Sequence, residues 1–322
     1  MIIGNRVIGE QLRVRRIRVG AALILLGVLL WARSGLVEAQ QIKCDDVVKR
    51  ALQQIKDKCA NVPRNMICFA NGGVTLETVA TDSKTEFAKP GDLVPLTALK
   101  RITLTPFDEK SGAWGLVLMR VQANYPDAQP GQFVSMLLMG DVQLDTVAPK
   151  PASDKPGAQA FIFKSGTATL ACKEVPPSGI LLESPKGKQR AKMTMNGAEM
   201  DIGSKVFLQT TPKSAAKPKP QFVVKTLEGL VNLSAKGKTV AIKPQQESEI
   251  DLSEDYEIDG EPDDAATFDP ASDDALPVGT LDEADAGVMV DDPTSDVNNS
   301  GKGSEPQETP EPPTSNDNNP DE

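Results

Sequence analysis

Between Met193 and Leu252, apolar residues recur at every second position in short runs separated by turn residues. Met193 and Met195 precede Asn196-Gly197, and Met200 and Ile202 follow it. Asn-Gly suits the two central positions of a type I′ turn, where both residues need a positive φ, so this segment reads as a hairpin. A period of two puts Met193 and Met195 on one face, with Met200 and Ile202 across from them. Further on, Val231 and Leu233 alternate with Asn232 and Ser234, and Val240 and Ile242 follow a Lys236-Gly237 turn. Ser248 to Leu252 supplies a last alternating run. The stretch Phe222–Leu252 therefore reads as two or three short strands around Leu227-Glu228-Gly229 and Gly237, with the Asn196-Gly197 hairpin as partner. The methionines read as a packed face, because no histidine or clustered Met motif accompanies them to bind copper.

Upstream, Asp45–Lys58 has Val47, Val48, Ala51, Leu52 and Ile55 on one face, the spacing of an amphipathic helix. Asp45 and Asp46 suit its first turn, where the helix dipole favours negative charge, and Pro63 ends the element. Asn65–Ala70 is strand-like and leads into the turn signal Asn71-Gly72-Gly73. Trp114–Gln122 and Phe133–Val142 are nearly continuously apolar, as in strands covered on both faces, and read as a hairpin or as neighbours. Trp114 is assigned to the core. Ala148–Ala158 has the Pro and Lys content of a linker. Phe161–Phe163, Ala168–Cys172 and Val206–Gln209 are further strand candidates, and Pro212–Pro220 is a basic, proline-spaced loop. The expected fold class is mainly β (α+β): an α+β domain at 40–147, a linker at 148–158, and an antiparallel β domain at 159–252.

The net charge of −10 averages unlike regions: residues 251–322 hold 23 acids and one base, while the body is mildly basic. With few large apolar residues, 253–322 is expected to be a disordered acidic tail. Asp255-x-Glu257-x-Asp259-Gly260 mimics the start of a calcium loop, but Ala266 stands where the bidentate Glu belongs. Opposite charges predict salt-sensitive contact between the tail and Lys213, Lys217 and Lys219. The tail also argues against nucleic-acid binding.

Residues 1–39 read as a signal peptide. Five arginines precede the apolar run Val19–Ala32, whose 14 residues suit an export signal better than a membrane span. Val37-Glu38-Ala39 offers a cleavage site; if it is not cut, membrane contact is through this segment alone. Cys44, Cys59, Cys68 and Cys172 all follow the proposed cut and are even in number, as for disulfides in an oxidising compartment. Three pairings are possible. If Cys44 and Cys59 share a helix, about 22 Å separates them and that bond is excluded. Cys59–Cys68 with Cys44–Cys172 is the favoured pairing. The chain has no histidine, which removes Ser-His-Asp and Cys-His nucleophiles and His-ligated zinc. No catalytic, cofactor or metal residue stands out, and none is assigned.

Two resemblances bear on this reading. Asn65-x-x-Cys68-Phe69, Trp114-Gly115, Gln122-Ala-Asn124-x-Pro126-Asp127, Pro130-Gly131-Gln132 and Leu138-Met-Gly140-Asp141 resemble a module of secreted bacterial proteins that precedes a FecR-like β domain. Asn196-Gly197, Gly203-Ser204, Leu227-Glu228-Gly229-x-Val231 and Gly237 are similar to the FecR-type extracytoplasmic domain itself. Lys243-Pro244-Gln245-Gln246 departs from it where a glycine is usual. The resemblance implies a β domain outside the cytoplasm and brings no activity with it. The function expected is an exported, non-catalytic binding or envelope-scaffold protein, its partner an envelope protein or surface polymer. The alternative is an extracytoplasmic sensor that regulates a membrane partner.

Overall fold

A computed structural model describes residues 44–79, 87–122, 133–147, 160–167, 172–184, 190–269 and 274–281. The proposed signal peptide, the linker at 148–158, and residues 282–322 lie outside the described residues. Helix α1 (Cys44–Cys59) comes first. The strands are β1 (Met66–Asn71), β2 (Val74–Thr78), β3 (Leu93–Pro95), β4 (Leu99–Leu104), β5 (Leu116–Gln122), β6 (Phe133–Met139), β7 (Val142–Val147), β8 (Ala160–Ser165) and β9 (Gly179–Glu183). They continue with β10 (Ala191–Met195), β11 (Ala198–Ile202), β12 (Lys205–Thr211), β13 (Gln221–Thr226), β14 (Val231–Ala235), β15 (Lys238–Ile242), β16 (Gln246–Asp251) and β17 (Ala266–Thr267).

One sheet has nine strands in the order β17-β16-β13-β12-β9-β6-β5-β1-β3, and the other has eight, β15-β14-β11-β10-β8-β7-β4-β2. Apart from β3 and β1, each sheet is laid down in chain order. The chain makes a hairpin in one sheet, crosses, and makes the next in the other, from β5–β6 and β7–β8 to β12–β13 and β14–β15. Only β8 and β10 pair in parallel among the named strands. Both sheets run continuously from residues before 147 to residues after 160, through β6–β9 and β7–β8.

The main core lies between the sheets. Ile102, Met119, Met136, Phe163, Met193, Met200, Leu208, Phe222, Leu233 and Ile250 are all buried in it. A second apolar layer covers the outer face of the nine-stranded sheet. There Val47, Val48, Ala51 and Ile55 of α1 meet Leu118, Leu137, Leu181 and Phe207, and Leu276 and Leu281 join them. Strands β5, β6 and β9 are covered on both faces, which is why they are nearly all apolar; β14 and β15 are covered on one face and alternate.

Turn chemistry sets the hairpins. Asn196 (φ 55°) and Gly197 (φ 92°) are both left-handed, as are Lys236 (φ 50°) and Gly237 (φ 90°). In the β15–β16 turn Gln245 takes φ 62°, so a glutamine adopts the conformation that glycine fills more cheaply.

The structure corrects three expectations. Phe222–Leu252 forms four strands rather than two or three, because β13 and β16 pair with each other and belong to the opposite sheet from β14 and β15. Of the strand candidate Ala168–Cys172 only Cys172 is among the described residues, and it opens a turn closed by Val175 N donating to Cys172 O (3.3 Å) and is not a strand residue. The acidic segment does not leave the body at residue 253: residues 253–269 and 274–281 pack on it. Tyr256, Ile258 and Ala265 lie against the main core, and Leu276 and Leu281 against the second. Those few apolar residues, spaced along a polar segment, help to hold it down.

Candidate interaction surface

The two outer faces of the sandwich differ. On the nine-stranded sheet, disulfides fix the covering layer: Cys44–Cys172 ties the first turn of α1 to the 172–175 turn, and Cys59–Cys68 ties its last turn to β1. Beyond the apolar layer, a charged row crosses the same face. Arg120 of β5 lies opposite Ser135 of β6, Ser135 opposite Glu183 of β9, and Glu183 opposite Lys205 of β12. All four are buried. Arg120 donates to Val62 O (2.8 Å) and Ala60 O (3.1 Å), and its guanidinium lies 5.5 Å from the Phe133 ring centre. Lys205 Nζ sits 3.9 Å from Glu183 and 3.5 Å from Glu228. Opposite charges alternate along the row, which lowers the cost of burying them. In the register Glu183 stands between Ser135 and Lys205. Sequence reasoning missed this row, although Ser135 and Glu183 are each the one polar residue of an otherwise apolar strand.

The outer face of the eight-stranded sheet is polar and open. At one end Glu77, Arg101 and Asp145 lie in register on β2, β4 and β7. Arg101 makes a two-pronged contact with Asp145, and Gln143 Nε2 donates to the same carboxylate (2.8 Å). The hydrogen bond from Arg101 to Asp145 raises the arginine's pKa, so it stays charged. At the other end Lys192 faces Asp201 and Asp201 faces Asn232, while Glu199 faces Ser234 and Ser234 faces Thr239. Arg190 holds Asp201 at 3.0 Å, and the Ser234 and Thr239 hydroxyls are 2.8 Å apart. Lys192, Glu199, Asp201, Asn232, Ser234 and Thr239 line a shallow depression of about 210 Å³. Its walls present donors and acceptors fixed by strand register.

The lysine-rich loop expected to meet acidic residues does so as fixed pairs. Lys213 pairs with Glu254, Lys217 with Asp263 (3.5 Å), and Lys219 with Asp259 (3.0 Å). Lys238 of β15 pairs with Asp264 (2.9 Å). These hydrogen bonds raise the pKa of Lys219 and Lys238 and lower those of Asp259 and Asp264. Asp259 is thus occupied by a lysine, and Tyr256 (φ 62°) sits in a turn where a calcium loop would place a ligand-bearing arc. Cys44, Cys172 and Glu174 are the one group of metal-type donors that converges among the described residues, and the two cysteines are bonded to each other.

The residues singled out by motif do not converge on a site. Asn196 and Gly197 close one hairpin and Gly237 another; Gly229 (φ 74°) turns the chain into β14, Leu227 packs on the second core, and Glu228 reaches Lys205. No protein-family model matches the chain, and no curated protein matches it. Two crystal structures of a candidate anti-sigma factor from Parabacteroides distasonis are similar over 52% and 53% of this chain, at 9% identity and TM-scores of 0.29 and 0.30. The match spans 60% and 61% of those chains.

Proposed function

We propose that this protein is an exported, non-catalytic binding or scaffold protein, and that the polar face of the eight-stranded sheet holds an envelope protein or a surface polymer. The observation that carries the reading is the contrast between the two outer faces. One is roofed by a helix that two disulfides pin in place; the other carries ordered donors and acceptors that none of the described residues roofs. Two disulfides also fit an oxidising compartment, and no helix among the described residues is long and apolar enough to cross a membrane.

The test is retention of purified protein on the envelope fraction of its own host. The triple variant Lys192→Glu, Asn232→Arg, Thr239→Arg changes the depression; Arg50→Glu changes the exposed side of α1. Retention falls roughly ten-fold or more for the triple variant, equivalent to about 1.4 kcal/mol of contact, and is unchanged for Arg50→Glu. Equal retention of all three proteins overturns the assignment of the face. Robust hydrolase or redox turnover overturns the non-catalytic reading. Capture of a membrane-spanning regulator through this face turns the scaffold into a sensor.

A further inference from the structure

Past β16 the chain turns at Ser253–Glu257 and comes back as a strap along the outer edge of the nine-stranded sheet. The strap is paired at intervals: Ile258 bridges Leu252 and donates to Asn196 O (2.8 Å), and Ser248 Oγ donates to Asp263 O (2.7 Å). Asp259 N donates to Asp251 O (2.7 Å), Asp263 N to Glu249 O (2.8 Å), and Phe268 N to Gln245 O (3.3 Å), with the two-residue strand β17 between the last two. The backbone from Gly260 to Ala265 is irregular and pairs there only through Asp263, so the ladder is thinner than that between β13 and β16, which pairs six residues with six. Charge pairs add to the packing of Tyr256, Ile258 and Ala265 in holding the strap. Residues 253–269 carry eight acidic side chains and no basic one, and they face Lys213, Lys217, Lys219 and Lys238. All of these pairs are well exposed to solvent and so are weakened by salt. The hinge is short and carries Tyr256 in the left-handed region at φ 62°, a conformation a tyrosine takes at a cost.

We propose that the β16 edge is a strand-exchange site whose second occupant is the strap of another copy of this chain. If the hinge straightens, β16 and the strap become one long strand. Two such strands lying antiparallel place each β16 against the other copy's strap and remake the same backbone bonds and the same Lys–Asp pairs. A second copy fits because its sequence is the one already seated there, and the linear form relieves the left-handed tyrosine in exchange for the bonds that Asn196 makes to Tyr256 O (2.6 Å) and Ile258 N (2.8 Å). Short, strained hinges favour this kind of exchange over closure within one chain.

Two charge-reversed proteins test it. One carries Lys217→Glu and Lys219→Glu; the other carries Asp259→Lys and Asp263→Lys. Each edge repels its own strap and attracts the strap of the other protein. Light scattering gives monomer mass for each alone and dimer mass for the equimolar mixture; a mixture that stays monomeric overturns the proposal. The wild-type chain supplies an independent arm. Concentrated in high salt and then returned to low salt, it yields a dimer that persists on dilution, and insertion of Gly-Ser-Gly after Glu254 suppresses it. Absence of that dimer, or a dimer as abundant in the hinge-lengthened form, overturns exchange through the strap.

Discussion

Replacing Asn196 tests how the clearest hairpin signal in the sequence became a structural junction. Its side chain is fully buried at the end of β10 and continues the sheet where the strand stops. Asn196 Nδ2 donates to Phe163 O (2.9 Å) and Tyr256 O (2.6 Å), and Phe163 N donates to Asn196 Oδ1 (3.1 Å). One amide therefore serves both backbone groups of Phe163 on the open side of β8 and anchors the hinge of the strap. Asn196→Ala removes the partner of two buried backbone groups, Phe163 N and O, and of the half-buried Tyr256 O, at about 1 kcal/mol each at the low end of such costs. It also puts alanine at φ 55°, for about 1 kcal/mol more. The expected loss is about 4 kcal/mol. Asn196→Gly loses the same three bonds without the φ penalty, so about 3 kcal/mol is expected. Urea denaturation of the disulfide-intact proteins, followed by circular dichroism, gives both values. A loss under about 1 kcal/mol for alanine refutes the reasoning, because that is less than the lowest cost assigned to even one orphaned group. Equal losses for alanine and glycine refute the conformational part alone.

Other consequences follow from the same structure. Removing Cys44–Cys172 as a Ser/Ser pair, across a separation of 128 residues, costs about 5 kcal/mol by the chain-entropy relation; removing Cys59–Cys68, across 9, costs about 2.5 kcal/mol. A larger loss for the short loop in calorimetry contradicts this order. Gly229→Ala places a Cβ against Ser204 and 2.7 Å from Gly203 O at φ +74°, and is expected to cost about 2–4 kcal/mol with a lowered Tm. Strap attachment depends on pH at both ends. The lowered pKa values of Asp259 and Asp264 give a contribution present above the ordinary aspartate value of 3.8 and lost as pH falls through their folded values. The raised values of Lys219 and Lys238, whose first cause in each case is a strap aspartate, give one fully present below 10.5 and lost as pH rises through theirs. Hydrogen exchange at Asp259 and Asp263 is thus slowest at intermediate pH after correction for intrinsic rates. Flat protection from acid to alkali refutes the ionic hold.

Much of this architecture was legible where one local signal sufficed. Asn196-Gly197 and Lys236-Gly237 each set a turn whose flanking residues alternate, so β10–β11 and β14–β15 could be read with their register. The unbroken apolar runs of β5 and β6 announced a doubly covered sheet, and the spacing of Cys44 and Cys59 on one helix ruled out their pairing. Strands that depend on distant partners were harder to see. β4 places Lys100 and Arg101 side by side, and its pairing with β2 shifts register between Glu77 and Thr78, which blurs the period of two. β9 is five residues long, and its buried Glu183 makes sense only beside Lys205 and Ser135 from other strands. Residues 253–269 read as unfolded because composition counts acids and not the lysines that meet them from other parts of the chain. The polar face was hidden for a related reason: Arg101, Asp145, Lys192, Asp201 and Asn232 are scattered in sequence, and only the sheet order assembles them.

The most direct measurement is a cross-linking scan in the native host, with a photoreactive residue placed singly on each side of the sandwich. Thr103, Gln143, Lys192, Asn232 and Thr239 report on the open face, and Lys49, Arg50 and Gln53 report on the exposed side of α1. The account predicts that one common species cross-links from several positions on the eight-stranded sheet and from none on α1. Adducts from α1 alone, or equal adducts from both sides, contradict the claim that the open polar face is where this protein binds.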